Sequence, residues 1–153
     1  MDLILDNINP KTIEAKDITN SNIWGNNLTF SSKKNYLIRS VSGKGKSTLI
    51  NYLSGLRKDF DGQLIIGEIK SSELNSDNWI EKRKNEIAIV NQDLKLISSL
   101  SVIENLVLKN ELTNHVDKET INQLLKEVGI FDLKNKKCSQ LSIGQQQRVA
   151  IVR

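Results

Sequence analysis

From Arg39 to Ile50 the chain reads RSVSGKGKSTLI, and the types and spacing of these residues suit one kind of chemistry, the gripping of a row of phosphates. Gly43 and Gly45 let the backbone curl and approach closely. Successive N–H groups can then face one hollow at the positive end of the helix that follows. Lys46 would bring a point charge to the outer phosphates, Ser47 a hydroxyl for Mg²⁺, and Thr48 an N–H or hydroxyl for the inner phosphates. The full pattern, G-x-x-x-x-G-K-[ST], asks for glycine at position 40. Ser40 stands there instead, at a cost of about 1 kcal/mol if that turn requires positive φ.

Such a loop needs a strand before it and a helix after it. Asn35 to Arg39, NYLIR, has the composition of a buried strand, and Lys46 to Leu56 places Leu49, Ile50, Leu53 and Leu56 at helical spacing with Gly55 near its end. Leu3 to Ile8, Asn26 to Phe30 and Gly62 to Ile66 read as further strands. Residues 76 to 84 read as a short helix capped by Ser76 or Asp77 and burying Trp79 and Ile80, followed by an apolar strand over Ile87 to Val90. Beyond Gln92 the pattern turns helical. Ser101 and Glu104 form a capping box for a helix burying Ile103, Leu106 and Val107, and Ile121, Leu124, Leu125 and Val128 mark a second that stops at Gly129. This order predicts an α/β fold.

The composition excludes several other functions. At 153 residues, one domain with a real core is expected. Lys and Arg exceed Asp and Glu by four, but the basic clusters at Lys33–Lys34, Lys82–Lys84 and Lys134–Lys137 are short and lack interleaved aromatics, so they read as solvated faces rather than a nucleic-acid surface. Cys138 is the single cysteine and reads as an inert thiol in a reducing compartment. His115 lies between Thr113-Asn114 and Asp117, in a polar connection where a solvent-exposed histidine is expected. Neither a signal peptide nor an apolar run of the ~18 residues needed for a spanning helix is found.

Taken together, the phosphate loop, Val90-Asn91-Gln92-Asp93 after a strand, a helical insert, and Leu141-Ser142-Ile143-Gly144-Gln145 followed by QQR resemble the nucleotide-binding domain of ABC transporters over nearly the whole chain. The stretch ISSLSVIENLVLK, 97 to 109, is similar to the lipoprotein-releasing and cell-division branches of that family. The resemblance implies a P-loop NTPase fold of ABC type, with N-terminal antiparallel strands, an incomplete central parallel sheet and a helical subdomain. Residues 1–92 would be the ATP-binding core, 93–140 the helical subdomain and 141–153 the signature helix. It implies an ATP phosphate site at Ser42, Gly43, Lys44, Gly45, Lys46, Ser47 and Thr48, with Ser47 and Gln92 as Mg²⁺ ligands and Gln92 in the catalytic role. Ser142, Gly144 and Gln145 would form a second phosphate-binding surface, facing the nucleotide of another such domain. A homo- or heterodimer closed by ATP is thereby implied, together with separate transmembrane permease subunits that hold it at the cytoplasmic face of the cell membrane, and no nucleic-acid partner.

The chain also departs from the family pattern. Ile143 replaces the commoner glycine, and no aromatic for stacking on adenine stands between Asp17 and Ile23, Trp24 and Tyr36 reading as core or strand residues. The acidic strand and switch histidine that follow the signature in the family are not in this sequence, so efficient hydrolysis by this chain alone is not expected, and an apolar sheet edge and poor stability are. The leading expectation is the ATP-binding subunit of a transporter. The alternatives are a non-catalytic ATP-binding remnant or regulatory module, or another P-loop class such as a small-molecule kinase or GTPase. DNA-repair ATPases are set aside because no heptads follow Gln92.

Overall fold

The structure, a computed structural model, describes every residue except Asn114, which belongs to the connection around His115, and the side chains of Asp17 and Thr19. It divides into two compact units, Met1–Arg83 and Lys84–Arg153.

In the first unit, β1 (Leu3–Pro10), β2 (Asn27–Phe30), β3 (Phe60–Ile66) and β4 (Ile69–Lys70) form an antiparallel sheet ordered β2-β1-β3-β4. The alternation seen in the sequence sets its register. Leu5 lies opposite both Leu28 and Leu64, and Leu5, Ile8, Leu64 and Ile66 are buried. A bulge between Asp6 and Asn9 requires Gly62, whose φ is 96° and whose absent Cβ would lie 2.2 Å from the Asn7 carbonyl oxygen. Pro10 ends β1 where β3 alone still pairs with it, so its missing N–H leaves no gap in the ladder.

A short helix that the sequence does not announce, α1 (Ala15–Thr19), follows β1, and α2 (Lys46–Leu53) leaves the phosphate loop. α2 buries Leu49 and Tyr52. Tyr52 meets Trp24 edge-on at 6.1 Å and Phe60 at 4.8 Å, and its hydroxyl donates to the Asp59 carbonyl at 3.0 Å. Ile50 and Leu56, expected in the buried stripe, are exposed. Tyr52 takes the inward position, and the left-handed Gly55 ends the helix before Leu56. The Trp79 ring occupies the space where a Gly55 Cβ would stand, 2.1 Å from that position. Trp79 is the buried face of α3 (Ser76–Asn85), whereas Ile80 turns outward. The cap of α3 is Asn75 rather than Ser76 or Asp77, because Asn75 Oδ1 accepts from the Asn78 N–H (2.9 Å) and Asn78 Oδ1 from the Asn75 N–H (3.1 Å).

Two expected strands are not formed. Residues 35–41 and 87–90 adopt no regular element, and Leu37 and Val41 are 75% and 69% exposed. Apolar residues of this kind make a strand only when a neighbour completes the ladder. Among the described residues neither segment has such a neighbour, and no parallel pairing occurs.

In the second unit, α4 (Val102–Asn110), α5 (Lys118–Glu127) and α6 (Ile143–Val152) enclose a core of Val102, Leu106, Ile121, Leu125, Ile130, Cys138, Leu141 and Val149. The Ser101–Glu104 capping box is present, and Asp117 caps α5 by accepting from the Thr120 N–H at 2.8 Å. These bonds to the charged form hold both carboxyls, Glu104 and Asp117, below the usual carboxylate range. On α4 the fully buried positions are Val102 and Asn105, while Ile103 and Val107 are half-buried. Among the described residues no helix is long and apolar enough to cross a membrane.

Candidate functional site

The start of α2 is built to leave backbone donors free. Its first intrahelical bond runs from the Leu49 N–H to the Gly45 carbonyl at 2.9 Å, so the N–H groups of Lys46, Ser47 and Thr48 lie in the first turn with no acceptor inside the helix. The cap position is Gly45, which has no side chain to accept from them. Its φ of 90° and the lack of room for a Cβ, 2.4 Å from Ile13 Cδ1 and 3.1 Å from Trp24 Cζ2, both require glycine. Gly43, with φ of 81°, has open space around it, so there the requirement is conformational alone.

Lys46 reaches back over this loop. Its ammonium donates to the carbonyls of Ser40 and Val41 at 2.7 and 2.9 Å, using two of three donors and fixing the charge above the curl. Ser42 and Ser47 are exposed, and Lys44 and Thr48 are half-buried. A hollow of about 760 Å³ adjoins the loop, lined among others by Trp24, Phe30, Tyr36, Arg39 and Lys46. Trp24 is buried beneath the loop and Tyr36 packs edge-on against Phe30 at 5.0 Å, so both aromatics near the loop are engaged within the unit.

The second unit holds the remaining expected residues. Ser142 and Gln145 form a reciprocal capping box at the start of α6, with Gln145 Oε1 accepting from the Ser142 N–H at 2.9 Å and Ser142 Oγ from the Gln145 N–H at 3.3 Å. Gly144 is helical, and a Cβ there would meet nothing within 4 Å, so no contact among the described residues requires the glycine. Ile143 is 73% exposed beside it. Gln92 lies exposed in a turn closed by the Leu94 N–H to the Asn91 carbonyl at 3.0 Å. The residues expected from the sequence thus fall in two groups, Ser42–Thr48 in one unit and Gln92 with Ser142–Gln145 in the other.

The isolated residues behave as their surroundings dictate. Cys138 is buried, which pushes its thiol up and keeps it protonated, and His115 is exposed. Sequence reasoning passed over Asn105, which is completely buried and bonded on every side. A polar residue at a position with core periodicity was the only signal available.

A curled loop with two left-handed glycines, a lysine across its mouth and an uncapped helix behind it defines a P-loop nucleotide-binding protein. The ABC transporter family model matches residues 24–153, and the chain belongs to that family. It is 33% identical over 130 residues to the lipoprotein-releasing system ATP-binding protein LolD of Treponema denticola, covering 83% of this chain and 58% of that one. To the methionine import ATP-binding protein MetN of Photobacterium profundum it is 35% identical over 130 residues, 83% of this chain and 38% of that one. The dimeric structure of a bacterial ABC transporter cassette superposes with a TM-score of 0.72 at 26% identity, over 99% of this chain and 68% of that chain. Among these curated relatives and those like them, the chain spans between 29% and 58% of their length.

Proposed function

We propose that this chain binds ATP with Mg²⁺ and serves as the ATP-binding part of an ABC transporter, closing on a second nucleotide-binding domain when ATP is bound. The observation that carries this reading is the first turn of α2, where the N–H groups of Lys46, Ser47 and Thr48 lack helical acceptors behind a lysine held across the loop. Amides without helical acceptors at the positive end of a helix, beside a held cation, favour an anion, and a triphosphate supplies that anion. Ser42 and Lys44 extend the row of amides, and Gly43 and Gly45 give it curvature.

Ser47 offers a hard oxygen from an exposed first-turn hydroxyl, and Gln92 an uncharged one from an exposed turn. Both suit a cation that keeps most of its ligands as water and phosphate oxygen. Gln92 would also position water for attack on the γ-phosphate. Bound Mg²⁺ would neutralise charge on the outer phosphates.

The start of α6 would receive the nucleotide of the second domain. Its first residues, Ser142 to Gly144, are exposed, so the positive end of the helix dipole meets solvent, and Gly144, whose Cβ would touch none of the described residues, suits close backbone approach by something outside the chain. The likeness to LolD, a lipoprotein-releasing system protein, to MetN, a methionine import protein, and to a dimeric cassette supports a cytoplasmic subunit docked on transmembrane permease subunits. Isothermal titration with MgATP tests the reading. The parent chain is expected to bind, and Lys46→Ala to lose measurable binding. Equal affinities would overturn it.

A further inference from the structure

The stretch after Gln92 is tied to the turn before α6 by backbone hydrogen bonds and by one buried side chain. Asn105, on α4, is 0% exposed, and a buried amide is tolerated only when its donors and acceptor are matched. Here they are. Oδ1 accepts from the Ile97 N–H at 2.9 Å, while Nδ2 donates to the Ile97 and Ser101 carbonyls at 3.1 and 2.9 Å and approaches Cys138 Sγ at 3.3 Å.

From that point the bonds continue toward α6. The Cys138 N–H donates to the Leu100 carbonyl at 2.9 Å and the Ser139 N–H to the Ser98 carbonyl at 3.0 Å. Gln146, on α6, donates to the Cys138 and Leu141 carbonyls at 3.0 and 3.2 Å. Arg153, at the far end of α6, donates to the Lys95 carbonyl. Immediately before the first of these anchors comes the Gln92 turn, and at its end Leu94 and Lys95 are both left-handed, with φ of 57° and 48°. Two adjacent side-chain-bearing residues hold that conformation only where the surroundings impose it.

We propose that Asn105 is a positioning residue that locks residues 97–101 to the turn before α6, so that the Gln92 turn and the signature helix move as one body. The proposal rests on the reading of Gln92 and of Ser142–Gln145 as the chain's two outlying nucleotide contacts. It gives them a mechanical link. A shift of the Gln92 turn is delivered to the helix that meets the second domain through this chain of polar contacts.

Amide hydrogen exchange of the whole chain, read residue by residue without nucleotide, tests the lock. Leucine shares the branched outline of asparagine, is bulkier and makes none of its bonds, so Asn105→Leu keeps the site filled and removes the tie. Exchange at Ile97, Cys138 and Ser139 is expected to rise at least about tenfold, with Ile121 and Leu125 of α5 held within about twofold. Uniform acceleration that includes α5, or acceleration at Ile97 alone, would overturn the proposal. Should Asn105→Leu not fold, Ile97→Pro removes a single donor at an exposed residue and must still accelerate Cys138 and Ser139; no change there overturns the lock. In MgATP, Asn105→Leu is expected to keep ATP affinity within about twofold while ATP-driven self-association falls about tenfold. A parent chain that binds no ATP contradicts the proposed function and leaves the exchange result to decide the lock.

Discussion

Residues 35–41 and the helical unit make opposite use of apolar side chains. The first carries Leu37 and Val41 into solvent and forms no ladder, whereas the second encloses Val102, Leu125 and Val149 completely. Both stretches are apolar in sequence. The difference is the range of the contacts each needs. A helix meets its hydrogen bonds within four residues, and three short helices with the segment between α5 and α6 can close a core among themselves. A parallel strand depends wholly on partners distant in sequence. The phosphate loop sits between these regimes, with its helix formed and the segment leading into it irregular.

The comparison can be broken at its strong end first. Leu125→Ala, at a fully buried position, is expected to destabilise the helical unit by about 2–5 kcal/mol, measured by urea denaturation followed by circular dichroism. A loss below 1 kcal/mol would mean that this core is not closed as described. At the loop, Gly45→Ala forces a side chain into a left-handed residue against Ile13 and Trp24, and should cost about 1–3 kcal/mol in the same assay as well as weaken nucleotide binding. Ser101→Ala removes one half of a capping box and should cost about 1 kcal/mol.

Acid sharpens the same contrast. Bonds from the Ser101 and Thr120 N–H groups depress the folded-state pKa values of Glu104 and Asp117, so these carboxylates stabilise the helical unit fully above the ordinary carboxylate range. That contribution is lost as pH falls below about 4 and through the lowered values. Helical signal recorded against pH should therefore fall there, and Glu104→Gln should flatten the slope. A slope unchanged by the substitution would remove the capping box as its source. The smallest effect is expected at the weak end. Leu37→Asn, at a side chain 75% exposed, should change stability by less than about 0.5 kcal/mol, and a larger loss would reveal packing of residues 35–41 that the structure does not contain.

What could be read in the sequence follows the same division. The alternation in Leu3–Ile8 and Gly62–Ile66 foretold strands, and the Ser101–Glu104 spacing its capping box, because these signals are local; that Leu3 would pair with Ile66, far along the chain, was not legible. Asn35–Arg39 and Ile87–Val90 have strand composition, yet composition carries no information about whether a partner is at hand. The outward turn of Ile50, Leu56 and Ile80 depended on Tyr52 and Trp79 taking the inner positions, which no single-helix periodicity reveals. At the loop, glycine spacing and Lys46 were legible. Lys46 bonding to the Ser40 and Val41 carbonyls was not, since it depends on the closed shape of the curl. Asn105 stayed hidden because its partners are mostly backbone groups, which every sequence possesses.

The central claim is that the amides from Gly43 to Thr48 grip a triphosphate. Backbone amide resonances of those six residues, followed by NMR during MgATP addition, test it most directly. The account predicts that they shift together and saturate, with their exchange slowed, while those of Ile121 to Leu125 stay in place. Loop amides that remain unmoved at saturating MgATP, or that move no more than those of α5, would contradict it.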